Sequence, residues 1–190
     1  MEGLLKHINT ISPLSKISWK ALKQILVDRN YPIGTHLSSL NETPTRVFFL
    51  KSGYARGYTL SRKGNQYNRV LYKPNEFMAS LSALIQKSKT YLAIECLTDC
   101  QTSECNFNKF IELTDTFPDI DAFYQKILEE NFVRFELRNI QLVTMTATER
   151  YVDLRKRIPK IDDIISQKHI ASHIGVSPIQ LSRIRRKLFS

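Results

Sequence analysis

The C-terminal end of this 190-residue sequence constrains its fold more than any other part. A first helix is predicted over Gln167–Ile174, with Ser166 as its N-cap. Gly175 suits a left-handed helix end, and Ser177 followed by Pro178 is typical of an N-cap and a first helical position. A helix, a short glycine turn and a second helix together form the helix-turn-helix pattern.

The second helix of this pattern separates two kinds of side chain. Leu181, Ile184 and Leu188 share one face, because residues three and four apart are neighbours on a helix. The opposite face carries an isoleucine, a serine and two arginines: Ile179, Ser182, Arg183 and Arg186. In a major groove of DNA, arginine binds guanine or phosphate, and an aliphatic side chain can contact a thymine methyl. The alternative interpretation is an ordinary amphipathic helix with a solvated basic face.

The positive charge of the chain is concentrated at the same end. The formal net charge is +10, from 28 Lys and Arg against 18 Asp and Glu. Ten of these basic residues and only three of the acidic ones lie between Arg150 and Ser190. Segregated positive charge is typical of a nucleic-acid surface, since phosphate contacts release counterions. A solvated basic tail and a nonspecific basic architectural protein are the alternatives.

The first two thirds of the sequence predict a helix followed by a sheet domain. Apolar spacing over residues 14–27 predicts the helix, and a second, short helix is predicted over 78–86. Short runs of β-branched and aromatic residues, separated by turns, are typical of an antiparallel sandwich or barrel. The predicted strands are 47–50, 54–60, 67–72, 91–97 and 101–107.

A run without Gly or Pro over residues 119–145 predicts a long helix, about 40 Å at 1.5 Å per residue. It carries apolar residues on more than one face, which predicts contact with two surfaces, the β domain and a second copy of the chain. A single long core helix is the alternative. Thr146 with Glu149 three residues later predicts a capping box for the next helix, which ends near Arg157, before Pro159.

These parts, in this order, resemble the cyclic-AMP receptor protein / fumarate-nitrate reductase regulator (Crp/Fnr) family of bacterial transcription factors. The resemblance implies an α+β fold with an N-terminal antiparallel β-roll (a double-stranded β-helix) over 1–117 and a dimerisation helix over 118–145. It implies a helix-turn-helix domain over 146–190, whose β-hairpin wing is reduced or absent because few residues are left for it. The matching segments are 31–35, 47–53, 73–77 and 93–100 for the roll, 148–151 with 158–159 for the linking helix, and 170–187 for the helix-turn-helix.

The resemblance implies a homodimeric transcriptional regulator in the cytoplasm, and not an enzyme. Its partners would be double-stranded DNA and a second copy, with RNA polymerase and an unidentified small-molecule effector as further candidates, and no membrane. The operator of well-known members does not transfer, because Pro178 and Ile179 stand where those members present Arg and Glu. Position and helix face together give these candidate DNA contacts: Ser177, Pro178, Ile179, Gln180, Ser182, Arg183 and Arg186.

The effector site departs from the pattern of cyclic-nucleotide binders. Those proteins hold the ribose with the Glu of a Gly-Glu pair and the cyclic phosphate with an Arg on the roll. Here no glycine lies between residues 65 and 174, and no arginine between 70 and 133. We therefore expect no response to cyclic AMP and predict no cofactor. The candidate effector-binding residues, by position, are Glu76, Ser80, Lys89 and Thr90.

Other site chemistry finds little support in the sequence. Cys96, Cys100 and Cys105 have looser spacing than metal or iron–sulfur motifs, so reduced, buried thiols are predicted, with a redox or cluster sensor as the alternative. The four histidines are 7, 36, 169 and 173, and no metal site is predicted from them. The rival function is that of a β-roll small-molecule-binding or cupin-like metal-dependent protein. No run of 18 apolar residues and no signal peptide is present.

Overall fold

The computed structural model describes residues 1–189, as a mixed fold of helices and antiparallel strands. The helices are α1 Glu2–Ile11, α2 Lys16–Ile25, α3 Leu81–Gln86, α4 Phe107–Thr116, α5 Pro118–Thr144, α6 Ala147–Arg157, α7 Ile161–Ile164, α8 Gln167–Ile174 and α9 Pro178–Phe189. The strands are β1 Val27–Tyr31, β2 His36–Ser38, β3 Arg46–Ser52, β4 Ala55–Leu60, β5 Gln66–Tyr72, β6 Glu76–Met78, β7 Ala93–Cys96 and β8 Cys100–Asn106.

The strands form two four-stranded antiparallel sheets rather than a closed barrel. The first sheet has the order β1-β8-β3-β6 and the second the order β2-β7-β4-β5. Inward side chains of both sheets, such as Leu50, Met78 and Ile94, make a common buried core. This arrangement confirms the predicted α+β fold with an antiparallel β-roll. Within residues 1–189 no strand follows β8, so the C-terminal helices carry no β-hairpin wing.

Helices cover the outer face of the first sheet. α1, α2, α4 and the start of α5 pack there around Phe49, with Leu4, Phe110 and Phe123 among the buried side chains. Asp119, in the first turn of α5, accepts hydrogen bonds at the N-terminal end of α2, 2.7 Å from the Ser15 amide and 2.5 Å from the Ser18 hydroxyl. The N-terminal helices are thereby fixed to the long helix.

The C-terminal helices cover the outer face of the second sheet. Leu71 of β5 is fully buried in the core of α6–α9, together with Tyr151, Ile170 and Leu181. Tyr54 and Leu97, partly buried at the neighbouring strand ends, pack against the same core. The β-roll and the helix-turn-helix therefore share one hydrophobic core.

The long helix α5 changes its surroundings along its length. Its first turns are buried through Ile120 and Phe123, whereas large apolar side chains of its second half face solvent. Phe132, Ile140 and Val143, which are 69%, 50% and 86% exposed, lie on one face because they are spaced eight and three residues apart. The helix thus presents a bare apolar face, as its sequence predicts.

The sequence predicts helix ends that are marked by capping residues better than it predicts the helices and short strands near the N-terminus. α8, the capping box of α6 and the left-handed Gly175 are found as predicted, although the Ser166 side chain makes no cap hydrogen bond. The last strand is predicted through Phe107 but ends at Asn106, because that side chain caps α4 by accepting from two backbone amides. Helices α1 and α4 and the strands β1, β2 and β6 are not predicted.

Among residues 1–189, no helix combines the length and the hydropathy needed to cross a membrane.

Leu71→Ala should destabilise the whole chain, because it opens a cavity in the core that the sheet shares with the C-terminal helices. The expected loss is about 2–5 kcal/mol of unfolding free energy, measured by denaturant unfolding. Leu60→Ala on β4, where the side chain is 46% exposed, is the matched control and should cost far less. Equal losses for the two variants would contradict the shared core.

Candidate nucleic-acid interface and sensor cavity

The turn between α8 and α9 is closed by hydrogen bonds at both helix ends. Gly175 has a φ of 78°, and the Val176 amide donates to the Ala171 carbonyl at 3.0 Å. At the start of α9 the Ser177 hydroxyl accepts from the Gln180 amide at 3.2 Å, while the Gln180 side chain accepts from the Ser177 amide at 2.9 Å. Ser177 and Gln180, both predicted as DNA contacts, therefore also cap the second helix.

Helix α9 is buried on one side and open on the other. Leu181 is fully buried against α8, and Ile184 packs against the same core. Leu188, one turn further, is 38% exposed and lies at the edge of this packing. The remaining predicted contacts are all exposed on the open side, namely Pro178, Ile179, Ser182, Arg183 and Arg186. Ile179 and its neighbours thus have no role in the core.

A buried network fixes α9 against the preceding helices. Tyr151 is fully buried and donates a hydrogen bond to Asp162 at 2.7 Å. Arg185 forms an ion pair with Asp162 at 2.5 Å, and Arg155 forms another at 3.4 Å. Burial and this hydrogen bond to Asp162 raise the pKa of Tyr151. Arg185 therefore positions the helix, although its charge counts toward the basic excess of the sequence.

Helix α8 rests on the second sheet through a polar network around Arg56. The Arg56 guanidinium is almost fully buried and forms an ion pair with Glu95 at 2.5 Å. It also lies 3.1 Å from Nδ1 of His169, and the Asn68 amide group donates to the His169 carbonyl at 2.9 Å. Because arginine only donates, Nδ1 accepts and the imidazole is neutral. Burial and the Arg56 charge lower the pKa of His169 to about 4.

A cavity of about 780 Å³ is lined by the edge strands β5 and β6 and by α5 and α6, and its lining extends to β3, β8 and the helices α1 to α4. Glu76 and Ser80 line it, as their predicted effector role requires. Glu76 is already paired, 3.3 Å from Arg157, and Ser80 forms a hydrogen bond with the hydroxyl of Thr90. Thr90 is buried and Lys89 is exposed, and neither lines the cavity.

The cavity also has a basic end that the sequence does not predict. Arg134 and Arg138 are four residues apart on α5 and so share the face that looks toward the roll. The four-residue spacing of these two arginines is visible in the sequence, but the other arginines of the cavity come from distant parts of the chain. The arginines that line the cavity are Arg69, Arg134, Arg138, Arg150 and Arg157.

The three cysteines are free and buried. Cys96 and Cys100 belong to the roll interior, where the Cys100 thiol donates to the Tyr54 and Thr98 carbonyls, whereas Cys105 belongs to the core under the helices. Burial raises the pKa of Cys105 to about 12. In the part of the chain that the structure describes, no group of three or more His, Cys, Asp and Glu side chains is placed to hold a metal ion.

No protein-family model and no curated protein sequence matches this chain. Solved structures do match. FixK2 from Bradyrhizobium japonicum superposes with a TM-score of 0.73 at 16% identity, over 86% of this chain and 84% of that one. The c-di-GMP-responsive global regulator CLP from Xanthomonas campestris gives 0.71 at 16%, over 92% and 91%. A protein from Eubacterium rectale, assigned to the Crp/Fnr family of transcriptional regulators, gives 0.73 at 17%, over 92% and 83%.

This chain has the Crp/Fnr fold. At these identities the similarity establishes the architecture of roll, long helix and helix-turn-helix, and no residue's role.

His169 predicts a loss of stability in acid. Since the pKa of His169 is about 4 in the folded protein and ordinarily 6.5, the unfolded chain binds the proton first as the pH falls. The free energy of unfolding should therefore fall between pH 6.5 and about 4, and His169→Gln should make that fall smaller. Ser172→Ala is the control, because it removes the hydroxyl that accepts from the Asn68 amide at 2.9 Å but no titrating group. Denaturant unfolding across this range measures both, and equal pH slopes for His169→Gln and its parent would refute the assignment.

Proposed function

We propose that this chain is a DNA-binding transcriptional regulator of the Crp/Fnr type that acts as a homodimer in the cytoplasm, and not an enzyme. The observation that carries the proposal is the open side of α9, where Ile179, Ser182 and Arg183 are exposed opposite the buried Leu181. Arg183 forms no salt bridge within residues 1–189, so its guanidinium is available to guanine or phosphate.

The basic residues on the outside of the C-terminal helices support the same surface. Lys168 on α8 and Arg186 and Lys187 on α9 are exposed near the open side. Arg155, Arg157 and Arg185, by contrast, are engaged with acidic partners inside the protein. Exposed cations of this kind grip the DNA backbone, and the side chains at the start of a recognition helix read base edges.

The bare face of α5 supports a dimer. Phe132, Ile140 and Val143 face away from the side on which Phe123 and Arg138 meet the roll. A row of large exposed apolar side chains on a long helix is typical of a helix–helix interface, since their burial is favourable. Two copies joined along this face would present two recognition helices to half-sites about 34 Å apart, one turn of DNA.

Arg183→Ala should weaken binding to a selected operator by ~1–3 kcal/mol for each half-site and relax the preference at one base position. The operator is first selected from random double-stranded DNA, and affinity is then measured by fluorescence anisotropy at fixed salt. Arg62→Ala, in the exposed β4–β5 turn, is the matched control and should bind as the parent does. An Arg183→Ala protein with parental affinity for every sequence would place α9 outside the groove.

Ile140→Asp should convert the dimer into a monomer, because a carboxylate in an apolar helix interface loses its hydration. Multi-angle light scattering at micromolar concentration measures the mass. Ile17→Asp, on the exposed side of α2, is the matched control and should leave the dimer intact. A parent protein that is already monomeric at this concentration would overturn the model of two half-sites.

A further inference from the structure

The basic end of the sensor cavity holds more positive charge than the neighbouring acids neutralise. Of the five arginines that line it, only Arg157 forms a salt bridge, with Glu76. The only other acidic residue in the lining is Asp153, which accepts a hydrogen bond from Gln141 at 3.0 Å. Four guanidinium groups at this cavity therefore lack a carboxylate partner among residues 1–189: Arg69, Arg134, Arg138 and Arg150.

These four arginines are held in different ways. Arg138 donates to the His173 carbonyl and Arg150 to the Ile174 carbonyl, so both are fixed in place by backbone oxygens. Arg69 stacks over the ring of Phe135, and Arg134 is exposed at the rim. Burial and the nearby charges of Arg150 and Arg157 lower the pKa of Arg138. Like charges close together in a half-buried place favour the binding of an anion.

Part of the cavity wall away from the arginines is apolar. Phe77 and Leu81 line it from β6 and α3. Ile85 and Phe135 lie at its rim and are 53% and 51% exposed, which leaves an apolar entrance beside the arginines. The volume of about 780 Å³ is in the range of cavities that bind organic ligands. A hydrocarbon along Phe77 and Leu81 would bury these side chains favourably. The polar groups of a sugar or a base would lack partners there and would have to reach polar side chains elsewhere in the lining.

We propose that this cavity binds an organic carboxylate with an apolar body, the carboxylate on Arg134 and Arg138 and the body along Phe77, Leu81 and Ile85. Arginine suits this role because its fork of donors matches a carboxylate in two parallel hydrogen bonds. The proposal names the effector class of the regulator and rests on the proposed function only for its biological meaning. Binding itself is a property of the cavity.

The position of the arginines gives the ligand a route to the DNA-binding helices. Arg69 belongs to the roll, Arg134 and Arg138 to the long helix, and Arg150 to α6 of the C-terminal module. A carboxylate on Arg134 and Arg138 would contact the long helix, while Arg69 and Arg150 line the same cavity from the roll and from α6. The two carbonyls that Arg138 and Arg150 bind, those of His173 and Ile174, end helix α8, so a shift of either guanidinium reaches the helix-turn-helix directly.

The test uses the full-length protein, without DNA, and decanoate as the probe in isothermal titration calorimetry. We expect decanoate to bind, and decan-1-ol, acetate and inorganic phosphate to bind at least about tenfold more weakly, since each lacks either the charge or the apolar body. Naphthalene-2-carboxylate distinguishes an aliphatic from an aromatic body, and tighter binding of either one supports the carboxylate class.

Two kinds of variant locate the ligand. Arg134→Gln keeps the fold, because this exposed side chain forms no salt bridge, and should weaken decanoate binding about tenfold. Ile85→Asp places a negative charge at the apolar rim and should weaken it at least as much. Arg62→Gln and Ile17→Asp, at exposed positions outside the cavity, are the matched controls and should bind decanoate as the parent does.

The outcomes separate this inference from the proposed function. Decanoate that binds the parent but not Arg134→Gln supports the cavity site, whether or not the protein selects an operator. A parent protein that selects an operator but binds decan-1-ol as tightly as decanoate overturns the carboxylate proposal alone. Parental affinity of both Arg134→Gln and Ile85→Asp for decanoate overturns it as well.

Discussion

The rest of the structure depends on the way strand β5 enters the core of the C-terminal helices. Leu71 is buried there, and Arg157 of α6 donates to the Leu71 carbonyl at 2.7 Å while pairing with Glu76 on β6. A hydrophobic contact and a charged one thus join the sheet to the helices at the same place. In the core that these contacts fix, Leu181 of α9 faces inward and the opposite side of α9 is exposed. A strand of the roll therefore sets the direction of the surface on α9 that we propose to read DNA.

The long helix shows why a single sequence pattern could predict its presence but not its packing. α5 meets the core through Phe123, the cavity through Arg138 and solvent through Val143. Because α5 has three different surroundings, its apolar residues are spread around the helix and do not form one narrow stripe. The sequence predicts that this segment is a helix, how long the helix is, and that it contacts more than one surface. Which face meets which surface follows only from the roll that packs against it.

Local signals account for most of what could be predicted, and long-range contacts for most of what could not. Ser177, Pro178 and Gly175 define the helix-turn-helix because caps and turns act within a few residues. Helix α1 has no such signal, and its apolar side chains are buried against the first sheet. The strands β1 and β2 form by pairing with strands far along the chain. The arginines of the cavity come from three separate segments, and no sequence spacing connects one segment with another. Likewise, the structural role of Arg185 depends on Asp162, which lies on another helix.

The basic residues of the sequence divide into two populations, one half-buried and one exposed to solvent, whose charges are screened to different extents. Three arginines of the cavity and both arginines of the Asp162 network are half-buried, so ions in solution screen their interactions weakly: Arg138, Arg150 and Arg157, and Arg155 and Arg185. Arg183 and its exposed neighbours on α9 lie in water, where contacts with phosphate fall steeply as salt rises. The proposed carboxylate in the cavity and DNA bound to α9 would therefore respond differently to ionic strength. The two populations meet at α8, because Arg138 and Arg150 donate to the His173 and Ile174 carbonyls at its C-terminal end. A carboxylate that displaced either guanidinium would therefore act on the helix that packs against α9.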